Sequence, residues 1–398
     1  MKEFTSYSDG GEQGQITDMR DVSLLSPYHG GSHQAWAEGF RACSRHHIDL
    51  LTMPDRFWKW RMHGGALTLV REYMDTNRKA DCLLVTDMLD LTTFLALTRS
   101  QTAGIPAILY MHENQLTYPL PEDLELGPMR RQRGERDLHY GFINLASMLA
   151  ADVVLFNSEY HKQELYNALP NFLKHFPDFN ELSIPSSLAE KGRVVPVGVD
   201  LNRLNFEPQE TNLIEPPLII WNHRWEYDKD PGRFFDALYR IQLNNIPFRL
   251  ALCGRNYRER PAEFEIALEK LSPNIIHFGF ADEDTYRRLL WEASIVVSTA
   301  RHEFFGVSTV EALYCHSFPI LPKDLSYPEI VPSEFHSRCL YTNDEQLVSM
   351  LTWALLHPEE SRALAADISD RVSSYDWASI SRLYDEVITS LCEDHKFS

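Results

Sequence analysis

Long apolar runs and paired cysteines are both missing from this chain of 398 residues. No apolar run approaches the roughly 18 residues that a membrane-spanning helix needs, and the polar first segment, residues 1–20, lacks the apolar stretch of a signal peptide. We therefore expect a cytoplasmic protein without a membrane anchor. The six cysteines are scattered and include no C-x-x-C pair, so neither a disulfide framework nor a zinc site is indicated. We expect them to be reduced residues of the core.

Positive charge is also scarce. The chain has 38 Lys and Arg against 57 Asp and Glu, a formal net charge of −19. Such a chain repels phosphate backbones on average, which argues against broad nucleic-acid binding, although a local basic patch can oppose the average. The hydrophobic content of 44% at this length is typical of a globular protein with two cores.

Short apolar runs alternate with helical patterns along the whole chain, which predicts βα units and parallel sheets. The predicted strands are 22–25, 48–53, 82–86, 107–111, 153–157, 194–197, 218–222, 249–253, 275–278, 295–298 and 318–321. We predict a disordered tail at 1–20 and two Rossmann-like domains at 21–205 and 212–375, with the seam where two adjacent prolines interrupt the pattern. Residues 376–398 form an amphipathic pattern that predicts a helix packing on the rest of the fold.

Two carboxylates, Glu303 and Glu311, flank a Phe-Gly bend between the predicted strand 295–298 and a predicted helix. The bend therefore lies at the carboxyl end of a strand, where open α/β sheets bind ligands. Gly306 lets the backbone approach a ligand, and the N–H groups of Gly306 and Val307 at a helix start can bind a diphosphate. Each carboxylate could then accept a pair of sugar hydroxyls.

A second interpretation of this segment stays open. Ser308 and Glu311 have the spacing of a capping box, in which the carboxylate reaches back to the first turn of its own helix. Glu303 would then be an ordinary solvated carboxylate.

Arg224 and Lys229 follow the predicted strand 218–222 and precede a helix that begins near Pro231. Two cations beside a helix start form a good clamp for a diphosphate, because each contact to an oxyanion is charge-assisted. The alternative is a pair of surface cations in a polar loop.

Two further strand ends carry notable residues: Gly30, Gly31 and Ser32 follow the first strand, and His112 follows the fourth. With the bend and the two cations, this order of features resembles the retaining GT-B glycosyltransferases of the group 1 type over nearly the whole chain. The resemblance implies an α/β fold with two Rossmann-like domains whose parallel sheets face each other across a cleft. It implies that 212–375 holds a nucleotide sugar, that 21–205 holds the acceptor, and that 376–398 is a crossover helix that packs back.

The resemblance also implies roles for single residues. Arg224 and Lys229 match the diphosphate ligands, and Glu311 matches the ligand of the ribose hydroxyls. His112 matches the residue that faces the reacting sugar, and Gly31 matches the backbone close to the diphosphate. The implied catalytic residues are His112, Arg224, Lys229 and Glu303. The implied donor-binding residues are Gly30, Gly31, Ser32, Arg224, Lys229, Glu303, Phe305, Gly306, Val307 and Glu311.

Four segments carry a narrower likeness: RFWKWRMHGG at 56–65, YMHENQ at 110–115, FNS at 156–158 and IWNHRWEYDK at 220–229. They are similar to the tRNA-queuosine alpha-mannosyltransferases, which transfer mannose from GDP-mannose to queuosine in the anticodon of tRNA-Asp. The resemblance implies this reaction, with retention at the anomeric carbon, and tRNA as the partner. Two alternatives stay open: a glycosyltransferase that acts on a lipid or saccharide acceptor, and a non-catalytic protein that binds nucleotide sugars.

Aromatic and basic side chains interleave at residues 56–61, and a second basic cluster follows in the long loop after residue 112. Stacking faces beside phosphate-binding cations are the features by which single-stranded RNA loops are recognised. The alternative is a solvated face whose tryptophans anchor the core. The predicted acceptor-binding residues are Trp58, Lys59, Trp60, Arg61, Arg130, Arg131 and Arg133.

No carboxylate at a strand end of the first domain stands out as a nucleophile. Retention then implies a front-face reaction, in which the departing phosphate oxygen accepts the proton of the acceptor hydroxyl. We expect no metal and no cofactor beyond the nucleotide sugar. Asp87 and Asp90 are predicted to cap the helix that follows them, because capping is far commoner for Asp than metal binding.

Overall fold

The computed structural model describes residues 19–76, 79–119, 138–205, 215–254 and 262–396. Residues 1–18 of the predicted tail and the predicted RNA contacts Arg130, Arg131 and Arg133 lie outside these ranges.

The first domain is a parallel sheet with helices on its faces. Its strands are β1 (Asp21–His29), β2 (His47–Pro54), β3 (Cys82–Thr86), β4 (Ala107–Met111), β5 (Val153–Phe156) and β6 (Gly192–Val194). Its helices are α1 (Gly31–Cys43), α2 (Trp58–Asp75), α3 (Leu91–Thr102), α4 (Leu138–Ala150), α5 (Glu159–Leu173) and α6 (Ile184–Lys191). The strand order is β2-β1-β3-β4-β5-β6. The strands β3, β4 and β5 are buried along their whole length, as expected when helices cover both faces of a parallel sheet.

The second domain repeats this plan. Its strands are β7 (Leu218–Trp221), β8 (Arg249–Cys253), β9 (Ile275–Gly279), β10 (Ile295–Val297), β11 (Phe318–Pro322) and β12 (Leu340–Tyr341). Its helices are α7 (Pro231–Leu243), α8 (Ala262–Leu271), α9 (Glu283–Glu292), α10 (Val307–Tyr314), α11 (Tyr327–Ile330), α12 (His336–Cys339), α13 (Asp344–Leu356) and α14 (Pro358–Val372). The parallel strands follow the order β12-β11-β10-β7-β8-β9.

The last helix, α15 (Trp377–Lys396), packs back on the first domain, as predicted. Its Tyr384 hydroxyl accepts a hydrogen bond from the Trp36 indole at 3.0 Å and donates one to the Pro196 carbonyl at 3.0 Å. The Trp377 ring fills the space above Gly39, where an added Cβ would lie 2.2 Å from the indole nitrogen. The chain therefore crosses between the domains twice, and the crossings touch where the Val199 N–H donates to the Tyr375 carbonyl at 2.9 Å.

Helices and loops of the two domains contact each other across a boundary. The Glu329 carboxylate of α11 accepts the N–H groups of Glu159 and Tyr160, at 2.8 and 2.7 Å, at the start of α5 in the first domain. The rings of His161 and Phe304 stack across the same boundary with centroids 3.8 Å apart. Both parallel sheets point the carboxyl ends of their strands toward this boundary, which confirms the predicted GT-B architecture.

Two details of the strand prediction are wrong. The predicted strand 194–197 is displaced, because β6 ends at Val194 and Pro196 cannot donate a ladder hydrogen bond. The two-residue strand β12 was not predicted, since so short a segment shows no periodicity.

All six cysteines lie in the described part of the chain, and no disulfide joins any two of them. Five are buried, whereas Cys43 at the end of α1 is exposed, so the prediction of a core position is wrong for Cys43. No helix in the described ranges is long and apolar enough to cross a bilayer.

Candidate active site

Lys229 and Glu303 meet in a buried ion pair at the carboxyl end of the second sheet. The Lys229 ammonium donates to the His302 carbonyl at 2.7 Å and to Glu303 Oε2 at 3.3 Å, and it lies 3.2 Å from Asp228 Oδ2. Lys229 follows β7 and Glu303 follows β10, which are neighbours in the sheet. The structure therefore brings these two predicted residues together and adds Asp228, which the sequence did not single out.

Burial and charge oppose each other at this pair. Burial disfavours the ammonium, yet the carboxylates of Glu303 and Asp228 raise the pKa of Lys229 above its ordinary value. Burial likewise opposes the Glu303 carboxylate, whose pKa the Lys229 ammonium nevertheless holds below its ordinary value. Both groups are charged at neutral pH. The ammonium therefore has three oxygen neighbours among the described residues: the His302 carbonyl and the carboxylates of Glu303 and Asp228.

Arg224 lies at the mouth of the cleft with 49% of its side chain exposed. Its guanidinium is 3.4 Å from Glu226 Oε2 and hydrogen-bonds Tyr118 of the first domain. Burial disfavours the charged guanidinium, but Glu226 and Tyr118 outweigh it and raise the pKa of Arg224 above its ordinary value. The cation is thus placed between the domains, as the clamp prediction requires, and not on an outer surface.

Glu113 is a cleft residue that the sequence reasoning missed. Burial raises the pKa of its carboxyl to about 6, against the opposing charge of Arg224, while Asp228 raises it further. The Gln115 amide donates to Glu113 Oε1 at 3.0 Å. The signal that could have found it was its place directly after His112 at the end of β4.

His112 is packed between rings of the first domain. Its ring centroid lies 4.2 Å from that of His33, 4.7 Å from that of Trp36 and 4.8 Å from that of Tyr110. Burial, together with the charge of His33, lowers the pKa of His112 well below its ordinary value, so the imidazole is neutral. Its Nε2 is buried without a hydrogen-bond partner among the described residues. A neutral ring with an unused nitrogen can make one hydrogen bond to a ligand in the cleft.

Asp87 and Asp90 have different roles. Asp90 caps α3, as predicted, by accepting the Thr93 N–H at 3.0 Å. Asp87 does not cap the helix; it is buried and accepts the His112 N–H at 3.0 Å. Burial and then Glu113 raise the pKa of Asp87 well above its ordinary value. The capping prediction is therefore wrong for Asp87, which instead fixes the backbone that carries His112.

Gly30 and Gly31 lie at the start of α1. Gly31 has φ +54°, a conformation that favours glycine, and a Cβ added there would meet nothing within 4 Å. Gly30 precedes the helix, and no side chain hydrogen-bonds to cap it. Gly31 and Ser32 are exposed at this helix start, so its N–H groups are positioned to bind an anion.

The bend at Phe305 and Gly306, just before α10, contributes backbone groups to the site, because the Phe305 side chain is buried. Gly306 has φ +98° and precedes the helix, which begins at Val307. The Phe305 ring is buried, and its carbonyl accepts the Ser326 hydroxyl at 2.9 Å. This helix start lies beside Glu303, because a Cβ added at Gly306 would be 3.6 Å from the Glu303 Cγ.

Glu311 is not part of a capping box, so that alternative is wrong. Its Oε2 accepts the Tyr286 hydroxyl at 2.8 Å, and its Oε1 accepts the Arg203 guanidinium. The helix starts before Ser308, which puts the Glu311 carboxylate on the inner side of α10. Arg203 and Tyr286 were missed because no local pattern links residues so distant in sequence.

The predicted RNA-binding residues at the start of α2 have unequal exposure. Phe57 and Trp60 are 79% and 62% exposed, and Lys59 is exposed beside them. Trp58 is half-buried against Tyr140, with ring centroids 5.1 Å apart. The core-anchor alternative therefore describes Trp58, whereas Trp60 is available to a partner. Arg61 is half-buried and donates to the Pro54 carbonyl at 3.1 Å.

Comparisons with known families cover most of the chain. A family model described as "tRNA-queuosine alpha-mannosyltransferase N-terminal" matches residues 21–199, and a model described as "Glycosyl transferases group 1" matches residues 205–369.

Two relatives differ in how much of the chain they share. The chain is 34% identical over 324 residues to the tRNA-queuosine alpha-mannosyltransferase of Drosophila melanogaster. The aligned region covers 79% of this chain and 82% of the relative. It is 24% identical over 198 residues to a GDP-mannose-dependent alpha-(1-6)-phosphatidylinositol dimannoside mannosyltransferase of Mycobacterium tuberculosis, covering 48% of this chain and 50% of the relative.

Among solved structures, the sucrose-phosphate synthase of Thermosynechococcus elongatus superposes with a TM-score of 0.69 at 16% identity. The match covers 94% of this chain and 99% of the synthase. At this identity the likeness concerns the fold.

Proposed function

The chain belongs to the tRNA-queuosine alpha-mannosyltransferase family and is a glycosyltransferase, and we propose that it moves mannose from GDP-mannose to queuosine in the anticodon of tRNA-Asp. The observation that carries this proposal is the 34% identity to the Drosophila melanogaster enzyme across both domains. GDP-mannose as donor is supported by the name of the Mycobacterium tuberculosis relative, which is GDP-mannose-dependent.

The donor site of this proposal lies on the second domain. Arg224, Lys229 and the N–H groups at the start of α10 contact the diphosphate, and the helix start of α1 at Gly31 approaches it from the first domain. Glu303 accepts hydroxyls of the sugar, and Glu311 accepts those of the ribose. The support is geometric, because the two cations, the helix start and both carboxylates lie at the carboxyl ends of neighbouring strands.

The proposed chemistry proceeds with retention on one face of the sugar. The bond between the anomeric carbon and the phosphate oxygen breaks, and the acceptor oxygen forms its bond from the same side. The leaving phosphate oxygen takes the proton of the acceptor hydroxyl. Arg224 and Lys229 stabilise the charge that develops on the diphosphate, and neutral His112 hydrogen-bonds the sugar.

The acceptor side of the proposal uses the first domain. Trp60 and Phe57 stack on unpaired bases of the anticodon loop, and Lys59 contacts its phosphates. The support is the exposure of these aromatic side chains beside a cation on a chain that is otherwise strongly acidic. We also propose that the reaction needs no metal and takes place in the cytoplasm. Full activity in excess chelator is the expected result, and its complete loss would contradict metal independence.

The direct test incubates the purified protein with GDP-mannose and queuosine-containing tRNA-Asp, followed by mass spectrometry of the nucleosides. We expect a hexosyl-queuosine product, and no product from tRNA-Asp that carries guanosine in place of queuosine. Transfer to a lipid or saccharide but not to tRNA would favour the first alternative. Donor binding without turnover on any acceptor would indicate a non-catalytic binding protein.

A further inference from the structure

Both oxygens of the buried Glu311 carboxylate are held by side chains from outside α10. Arg203 Nη2 pairs with Oε1, and the Tyr286 hydroxyl donates to Oε2 at 2.8 Å. Tyr286 in turn accepts the Asn222 amide at 3.0 Å, and the same amide donates to the Ser308 carbonyl at 2.8 Å. The carboxylate orientation is therefore fixed by a network that reaches β7, α9 and the start of α10.

Arg203 comes from the segment that links the two domains, and this segment is itself anchored. The Trp291 indole donates to the Leu204 carbonyl at 2.7 Å, and the Tyr314 hydroxyl donates to Asn205 Oδ1 at 2.6 Å. The two residues that follow Arg203 thus hold it against the second domain. The ion pair between Arg203 and Glu311 therefore joins two groups that other contacts already hold in place.

A carboxylate offers about four lone-pair sites to hydrogen-bond donors. The contacts from Arg203 and Tyr286 occupy one site on each oxygen, which leaves one further site on each. Two vicinal hydroxyls of a ribose can fill those two sites at once. Neutral Glu311 would instead offer fewer acceptor sites and carry a proton of its own.

We propose that Arg203 is a positioning residue of the donor site, which keeps Glu311 ionised and oriented so that its remaining lone pairs accept the ribose hydroxyls of the nucleotide. This inference rests on the proposed function, because it takes Glu311 as the ribose ligand. Arg203 touches neither the sugar nor the reacting atoms; it acts through Glu311.

The groups around Glu311 set the expected pH behaviour. Burial raises the pKa of Glu311, and the charge of Arg203 and the Tyr286 hydrogen bond oppose that rise, while Asp200 adds to it. Cys315 also faces the carboxylate, from the end of α10. Loss of the Arg203 charge therefore raises the pKa of Glu311, so donor affinity should fall as pH is lowered, more steeply than in the unchanged protein.

The experiment measures the dissociation constant of GDP-mannose by calorimetry across pH about 6 to about 9 for Arg203→Met, Arg203→Lys and Glu311→Gln. We expect Arg203→Met to weaken binding roughly tenfold near neutral pH and more at acidic pH, with partial rescue by Arg203→Lys. The matched control is Arg249→Met, which breaks an ion pair with Glu215 and Glu292 at the amino end of β8. That variant should bind the donor as tightly as the unchanged protein.

Failure of the inference and failure of the proposed function give different results. Weak binding in Glu311→Gln but unchanged binding and pH profile in Arg203→Met would overturn the role of Arg203 alone. Unchanged binding in Glu311→Gln would overturn the ribose assignment on which it rests. If thermal melting shows that Arg203→Met does not fold, Arg203→Lys takes its place in the comparison. An affinity and a pH profile of Arg203→Lys that both equal those of the unchanged protein would then contradict the inference.

Discussion

At the scale of single residues, Lys229 has two functions that a substitution must separate. Its ammonium is the counter-charge of Glu303 and Asp228 as well as the proposed diphosphate contact. We predict that Lys229→Met lowers kcat/KM by about a hundredfold or more, since one lost contact to a developing anion costs on the order of 3 kcal/mol. The same change should lower the unfolding free energy by about 3 kcal/mol, because buried carboxylates lose their partner. Steady-state kinetics and thermal melting measure the two effects.

The double variant Lys229→Met with Asp228→Asn is the control for this prediction, because Asp228 pairs with Lys229 and has no proposed contact with the donor. Removing one of the uncompensated carboxylates should recover part of the melting temperature without recovering turnover. Recovery of turnover together with stability would show that Lys229 has a structural role only.

The residue scale also shows what the sequence could reveal about the site. The placement of Lys229, Glu303 and His112 at strand ends was predictable, because each follows a buried strand and parallel strands end at one edge. The partners of Glu311 were not predictable, because Arg203 and Tyr286 reach it only after the linker packs on the second domain. Asp87 was misassigned for a related reason: its neighbour His112 comes from another strand, and a local pattern shows only the helix that follows.

At the scale of elements, the start of α2 separates a core-facing tryptophan from an exposed one. We predict that Trp60→Ala weakens binding of queuosine-containing tRNA-Asp by about five- to a hundredfold, because stacking of one base on an aromatic ring contributes about 1–3 kcal/mol. The affinity for GDP-mannose should not change. Filter binding with labelled tRNA measures the first quantity and calorimetry the second.

Leu97→Ala is the matched control, since Leu97 on α3 is 50% exposed and lies outside the proposed RNA surface. It should leave tRNA binding intact. Equal tRNA affinity of Trp60→Ala and Leu97→Ala would remove α2 from the acceptor site.

Elements with strong patterns were predicted closely from the sequence. The strands β3, β4 and β8 have the predicted bounds, because a short buried apolar run flanked by polar residues leaves little choice of register. The prediction failed at residues 194–197, where an apolar run contains Pro196 and the chain leaves the sheet to begin the crossover.

At the scale of the whole molecule, Glu329 joins the two domains by accepting two N–H groups at the start of α5. We predict that Glu329→Ala favours opening of the cleft and lowers kcat/KM about fivefold, since an exposed carboxylate at a helix start contributes roughly 1 kcal/mol. Small-angle scattering should report a larger radius of gyration. Glu334→Ala, which removes an exposed partner of Arg371 in the same domain, is the control and should change neither quantity.

Buried histidines from both domains make the stability of the folded protein depend on pH. Burial lowers the pKa of His33, His223 and His302 from 6.5 to about 4, and it lowers the pKa of His112 and of His161 well below their ordinary value. Below pH 6.5 the unfolded chain takes up protons that the folded chain does not. The unfolding free energy therefore decreases as the pH is lowered, by up to about 1.4 kcal/mol per pH unit for each proton. We predict a lower melting temperature at pH about 6 than at pH about 7.5.

The acidic groups define the best window for that measurement. The pKa of Glu113 is raised to about 6, so its effect on stability has the opposite sign at lower pH. A melting temperature that stays constant or rises between pH about 7.5 and about 6 would contradict the prediction.

The position of α15 has a consequence for the order in which the protein matures during translation. The amino-terminal domain places Trp36 and Phe40 against Trp377 and Tyr384, so the side of its sheet that α15 covers stays open until α15 has left the ribosome. The carboxyl-terminal domain is synthesised later but is complete sooner, because its sheet and helices end at Val372. We therefore expect the second domain to be complete first and the emergence of α15 to complete the first domain.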